Sequence, residues 1–347
     1  MAALDLLAKL VNVPGVPGRE AAIRHLIRSV IEEMAFFDQI RVDALGNLIC
    51  LRAGRKAECS KRIMLAAHMD QPGFLVSRIS ANGALSLHPV GTFDMRALAS
   101  QPVWVVSEDG TKLPGTLHLA AQPIHVVSTD DLAKPPTLAD FFVDLGLSGE
   151  TAKASVQPGD MVVFRSPMMA LGDDIVGAGL DNRIGCWALI EALPQITNTH
   201  DDLVCVFSVQ EELGSRGIGP VAREAAPDFA IICETVVSAA VPGVPESQHV
   251  TIPGHGIALQ VADSSMLSDM ALVVSAEQAA QSMGIAVQRC LMQGGGQDGA
   301  IIQRSGRGVR TIALGCPLKF MHASREQANR CDVESYPVLI AALVDAI

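Results

Sequence analysis

Tyrosine occurs once and tryptophan twice in this chain of 347 residues, and aromatic side chains make up only 4% of it. So few flat rings offer little platform for stacking nucleobases, and the core must be built from Ala, Val, Ile, Leu and Met. Positive charge is also scarce: 26 Lys and Arg face 37 Asp and Glu, a formal net charge of -11. That balance repels phosphate backbones and anionic lipid surfaces, so neither nucleic acid nor a membrane is expected as a partner. No apolar run reaches the roughly 18 uninterrupted residues that a bilayer-spanning helix needs. Asp5, Lys9, Arg19 and Glu20 interrupt the stretch where a secretory leader would be continuous, so the cytoplasm is the default location. Cysteine pairs at C-x-x-C spacing are missing. Cys50, Cys59, Cys186, Cys205, Cys233, Cys290, Cys316 and Cys331 are scattered, mostly in apolar runs, and read as reduced core residues.

What is present is apolar material: 49% of the chain is hydrophobic, and a chain of this length is expected to form two domains. Between Arg19 and Phe36, Ile23, Leu26, Ile27, Val30, Ile31 and Met34 recur at helical spacing and predict a helix with one buried face. Ile63 to Ala67 is apolar without alternation, as in a parallel strand covered on both faces. Similar runs at Leu203 to Val209, Phe229 to Cys233 and Thr311 to Leu314 come with helical patterns at Asn182 to Leu193, Gly217 to Ala226 and Ser268 to Met283. The texture is α/β, with a largely parallel sheet flanked by helices. Between Gln71 and Phe164 it changes to short β-type segments broken by turn signals such as Asn82-Gly83, Asp109-Gly110 and Pro158-Gly159-Asp160. We therefore expect residues 1–70 and 165–347 to fold together as a discontinuous α/β domain. Residues 71–164 are expected to form an inserted β-rich domain.

Potential ligand groups stand at or just past the ends of the predicted strands: His68, the pair Glu211-Glu212, Glu234 and His322. Open α/β sheets bind ligands along the carboxyl edge of their strands, where such residues converge. Each alone has a plain structural explanation; together they point to a metal site. In His68-Met69-Asp70 the two polar side chains share one face of an extended backbone, so Asp70 can hold the imidazole and make its other nitrogen a better donor. Asp181, in Gly177 to Cys186, follows a glycine-rich approach; it can cap the next helix or offer one oxygen to each of two cations. Glu211 and Glu212 would repel each other at a buried strand end unless cations compensate. One can then be a ligand while the other moves protons. Gly294-Gly295-Gly296-Gln297-Asp298-Gly299-Ala300 lacks the Lys-Ser/Thr ending of a phosphate loop and reads as a wall of the site.

Taken in order, His68-Met69-Asp70, Leu180 to Cys186, Glu211 to Gly217, Gly294 to Ile301 and Met321-His322-Ala323-Ser324 resemble the M42 family of metallo-aminopeptidases. Pro158 to Phe164 and Cys331-Asp332-Val333-Glu334 look like further landmarks, so the likeness runs nearly end to end. It implies a zinc-peptidase-like fold with a β-barrel or PDZ-like insert, and a homo-oligomeric, twelve-subunit cage that admits only peptides. It implies two divalent cations, and an imidazole and carboxylate donor set without a thiolate suits Zn, with Co or Mn as alternatives. His68, Asp181 and Glu234 would hold one, and Asp181, Glu212 and His322 the other. Glu211 is implied as general base with Asp70 behind His68. Three positions depart from the family: Glu234 stands where Asp is usual, Gln71-Pro72-Gly73 replaces a common Glu-Val-Gly, and Thr235 to Glu246 contains no Asp. The same pair of cations would also cleave N-acyl amino acids, so a deacylase is an alternative activity. A silent metal-binding scaffold is another, although it would not need Glu211.

Overall fold

In the computed structural model, residues 4–55 and 60–347 are described. The unalternating apolar runs form the centre of an eleven-stranded sheet. Strand Arg62–His68 lies between Asp202–Ser208 and Phe229–Ser238, parallel to both, and Phe229–Ser238 is parallel to Arg310–Lys319. Antiparallel strands complete the edges, among them Leu48–Arg52 and Met169–Leu171. Successive side chains of one strand enter different cores. Leu65 packs with Leu189, Ile340 and Tyr336 on one face, whereas Met64 and Ala66 pack with Ile218, Val221 and Ala300 on the other. Polar alternation is absent from these strands because neither face meets water.

The helices behave as their spacing predicts. Helix Ala21–Met34 buries Ile23, Ile27 and Ile31. Leu180–Ala192, Met270–Met283 and Arg330–Ala346 cover one face of the sheet, and Ile218–Ala225 and Asp298–Gln303 contribute to the other. No helix among the described residues is long and apolar enough to cross a membrane.

Six antiparallel strands, Gly73–Ile79, Leu85–Val90, Gln101–Val106, Lys112–Leu119, Phe141–Asp144 and Met161–Phe164, close into a barrel with a core of its own. Its turns include Asn82-Gly83 and Asp109-Gly110, where the glycines take φ of +92° and +86°, a region closed to most side chains.

Three expectations need correction. Strand Phe229–Ser238 continues past Cys233, so Glu234 sits inside a strand. Its polar Glu234-Thr235 pair looks like a terminus in the sequence but is buried by facing the site. Strand Arg310–Lys319 likewise runs past Leu314 and through Pro317. Pro317 lacks a ladder donor, but it falls between the pairing with Ile257–Ala262, which reaches Gly315, and that with Glu326–Asn329, which begins at Leu318. Cys331 is exposed at the start of the last helix, unlike the six buried thiols of Cys50, Cys186, Cys205, Cys233, Cys290 and Cys316. Cys59 lies outside the described residues.

Candidate metal centre

The parallel strands deliver their side chains to one edge of the sheet. His68 is the last residue of its strand and is 2% exposed. Glu211 and Glu212 form a single turn after Asp202–Ser208, entered through Gln210 at φ +57° and left through Gly214 at φ +94°. This sharp reversal keeps both carboxylates at the sheet edge. His322 follows strand Arg310–Lys319 and also has a left-handed backbone, φ +62°. Asp181 lies at the start of helix Leu180–Ala192 in extended, non-helical geometry. Its side chain accepts no cap bond there and turns to the histidines instead.

Asp181 is the shared member. Its Oδ1 is 3.5 Å from His68 Nε2 and its Oδ2 is 3.3 Å from His322 Nε2. His68 Nε2 is also 3.4 Å from Glu234 Oε2, and His322 Nε2 is 3.5 Å from Glu212 Oε1. Two three-donor groups result, His68/Asp181/Glu234 and Asp181/Glu212/His322, each with its ligand atoms within 4.8 Å of one another. His68, Glu211 and Glu212 form a third grouping by the same measure. The centre opens into a cavity of about 740 Å³ walled partly by Gly294, Gly295, Gly296 and Gln297, a size suited to a small ligand or a peptide end.

The centre is braced by contacts that the sequence does not show. Asp70 is placed differently from the expectation: its carboxylate accepts the backbone N–H groups of Glu211 at 3.1 Å and Glu212 at 3.0 Å. His68 Nδ1 lies nearer the Asp70 backbone oxygen, 3.2 Å, than the carboxylate, 3.6 Å. Glu326 spans the amides of Asp181 and His322, and Thr235 Oγ1 donates to Asp181 Oδ1 at 2.9 Å. The single tyrosine, Tyr336, accepts the Glu234 N–H at 2.9 Å. Thr92 Oγ1, from the barrel, lies 2.9 Å from His322 Nδ1. Asp298 is buried behind the cavity wall and accepts a bond from Ser208 Oγ. Tyr336 carried one signal, as the lone tyrosine in a landmark helix, and Asp298 another, within the glycine-rich wall segment; Glu326 and Thr92 sit in unremarkable local sequence.

Electrostatics disclose a cluster short of positive charge. Burial, reinforced by Asp181, pushes Glu212 up to about 8, and burial with Asp181 and Asp298 pushes Glu234 up to about 7. Glu211 is raised well above the usual range by burial and by the neighbouring Glu234, Asp298 and Glu212. The imidazoles respond in the opposite sense. Burial opposes their charge, yet Asp181 and Glu212 carry His322 up to about 9, and Glu234 and Asp181 raise His68. Asp181 is held well below its ordinary value by His322 and His68 despite its burial.

These residues fit divalent cations. Glu212 Oε1 and Glu234 Oε1 are buried with no hydrogen-bond partner, so each has a lone pair free for a cation. Zinc bonds of about 2.0–2.1 Å in tetrahedral geometry place neighbouring donors about 3.3 Å apart, close to the 3.3–3.5 Å between these nitrogens and oxygens. Imidazole and carboxylate donors without a thiolate suit Zn, Co or Mn.

The sequence pattern of the M42 glutamyl aminopeptidase family matches residues 46–339. A lysyl aminopeptidase of Pyrococcus furiosus is 27% identical over 350 residues, covering 99% of this chain and 97% of the relative. The archaeal aminopeptidase APDkam598 of Desulfurococcus kamchatkensis superposes with a TM-score of 0.92 at 28% identity, covering 99% of this chain and 94% of that one. The TET1 peptidase of Pyrococcus horikoshii, which can assemble into a tetrahedron or a large octahedral shell, superposes with a TM-score of 0.85 at 31% identity, covering 99% of each chain.

Proposed function

The chain belongs to the M42 glutamyl aminopeptidase family, and from that premise we propose that it is a two-cation aminopeptidase that removes N-terminal residues from peptides. His68, Asp181 and Glu234 would hold one divalent cation and Asp181, Glu212 and His322 the other, with zinc as the natural occupant and Co or Mn as substitutes. The observation that carries this reading is the shared Asp181 carboxylate, which has one imidazole 3.5 Å from one oxygen and another 3.3 Å from the other. Divalent cations held by these residues would supply a water acidic enough to act as nucleophile near neutral pH and would polarise the scissile carbonyl.

The remaining chemistry belongs to Glu211. It belongs to neither ligand triad, and burial raises its proton affinity, as a general base working near neutral pH requires. Its carboxylate takes a proton from the attacking water and returns it to the departing amine. Ser215 Oγ donates to Glu211 Oε1 at 3.3 Å, steadying one oxygen. Asp70 fixes the backbone from which Glu211 and Glu212 project. Glu234, one methylene longer than the family's usual Asp, still brings Oε2 to 3.4 Å from His68 Nε2, and Tyr336 accepts its backbone N–H.

The 71–164 barrel, with its core around Phe74, Val103 and Leu117, is proposed as a separate domain inserted between the two parts of the catalytic one. Likeness to the Pyrococcus horikoshii peptidase supports a homo-oligomer, and we extend it to a twelve-subunit cage in the cytoplasm. Reconstitution with Zn, Co or Mn and a screen of aminoacyl-anilides beside N-acyl amino acids tests the activity. Glu211→Gln should retain parental cation content while kcat falls at least about 100-fold. An E211Q variant as fast as the parent removes Glu211 from the role.

A further inference from the structure

The two triads are supported unequally. His68, Asp181 and Glu234 are held by groups of the large sheet and its flanking segments: the Asp70 backbone oxygen, Thr235 and Tyr336. The second triad is also met from the barrel. After strand Leu85–Val90 the chain crosses toward the sheet edge at Gly91 and Thr92. At Gly91, φ +100°, an added Cβ would stand 3.5 Å from Glu212 Oε2 and 3.0 Å from Pro72 Cβ. Thr92 Oγ1 then reaches His322 Nδ1 at 2.9 Å. The next residue anchors the crossing: Phe93 stacks on Phe74 with ring centroids 4.4 Å apart and meets Phe164 edge-on at 6.1 Å. Thr92 is thus fixed by the barrel's aromatic core while its hydroxyl addresses a residue 230 positions away.

We propose that Thr92 is a positioning residue for the second cation site, so that the barrel helps to set the occupancy of that site alone. The proposal rests on the two-cation reading. With His322 Nε2 directed at Asp181 and Glu212, Nδ1 carries the ring proton and donates it to Thr92 Oγ1. That bond fixes the tautomer and the ring plane, the role an outer hydrogen-bond partner has behind a metal-bound imidazole. Asp181 keeps its own supports from Thr235 and Glu326, so loss of the hydroxyl should spare the first site.

The test is a Co²⁺ titration of chelator-stripped full-length protein, followed by calorimetry and by visible absorption, for the parent, Thr92→Val and Thr92→Ser. The parent should bind two equivalents. T92V should bind the first as the parent does and the second at least about tenfold more weakly, with a changed absorption band for that equivalent and an unchanged Tm. T92S should restore parental binding. A T92V variant that binds its second equivalent with parental affinity, or that loses both equally, overturns the proposal, as does failure of T92S to restore. A parent that binds fewer than two equivalents defeats the two-cation reading itself, and the parental stoichiometry alone separates that result from failure of the Thr92 role.

Discussion

Glu326 holds His322 by its backbone: Oε1 accepts the His322 N–H at 2.8 Å, while Oε2 accepts the N–H of Asp181 at 3.1 Å. One fully buried carboxylate therefore sets the spacing of Asp181, the proposed shared ligand, and a histidine that come from distant parts of the chain. Glu326→Gln presents an NH2 group to one of two N–H donors, leaving that amide unpaired. Stability should fall by about 1–3 kcal/mol, measured by urea unfolding of the chelated protein. Cation affinity should fall with it, and parental values for both would remove Glu326 from this role.

The shared position of Asp181 predicts a pattern of stoichiometry. His68→Ala should leave one tightly bound cation, held by the His322 side, and His322→Ala one held by the His68 side. Asp181→Ala should lose tight binding at both. Inductively coupled plasma measurement of bound zinc after gel filtration reads the three variants directly. Full loss in either histidine variant would mean that the triads do not act as two sites.

Glu20, beside the turn that carries Glu211 and Glu212, predicts a pH dependence of stability. Burial, with the charge of Asp70 adding to it, pushes its carboxyl from 4.5 up to about 7. Its Oε1 accepts both the Gly18 and Gln210 N–H groups. Because the folded protein binds this proton more tightly than the unfolded chain, the associated stability is complete below pH 4.5 and is lost as pH rises through 7. Glu20→Gln retains the accepting oxygen and removes the titration. Relative to the parent, its stability should improve by up to about 3 kcal/mol between pH 5 and pH 8, measured by urea unfolding after chelation. Parallel pH profiles for the two proteins would contradict this.

The parts legible in the sequence share a physical cause. Strands covered on both faces leave unbroken apolar runs, and His68, Glu211, Glu212 and His322 stand out because they are polar at or beyond the end of such a run. The same rule misplaced Glu234, which is polar inside a strand because it faces the site. Asp70 was visible, but its bonds to the Glu211 and Glu212 amides were not. Contacts from side chain to backbone depend on the path of the partner's chain and leave no residue pattern. Glu326 was missed for that reason, since it holds the backbone amides of Asp181 and His322; Thr92 was missed because its side-chain partner, His322, is 230 positions away and meets it only in the closed fold.

Anomalous diffraction from crystals soaked in zinc tests the central claim most directly. Two peaks are predicted, one bounded by His68, Asp181 and Glu234 and one by Asp181, Glu212 and His322, with Asp181 touching both. Zinc bound elsewhere, or a single peak that leaves either His68 or His322 without a bond to it, would contradict the account.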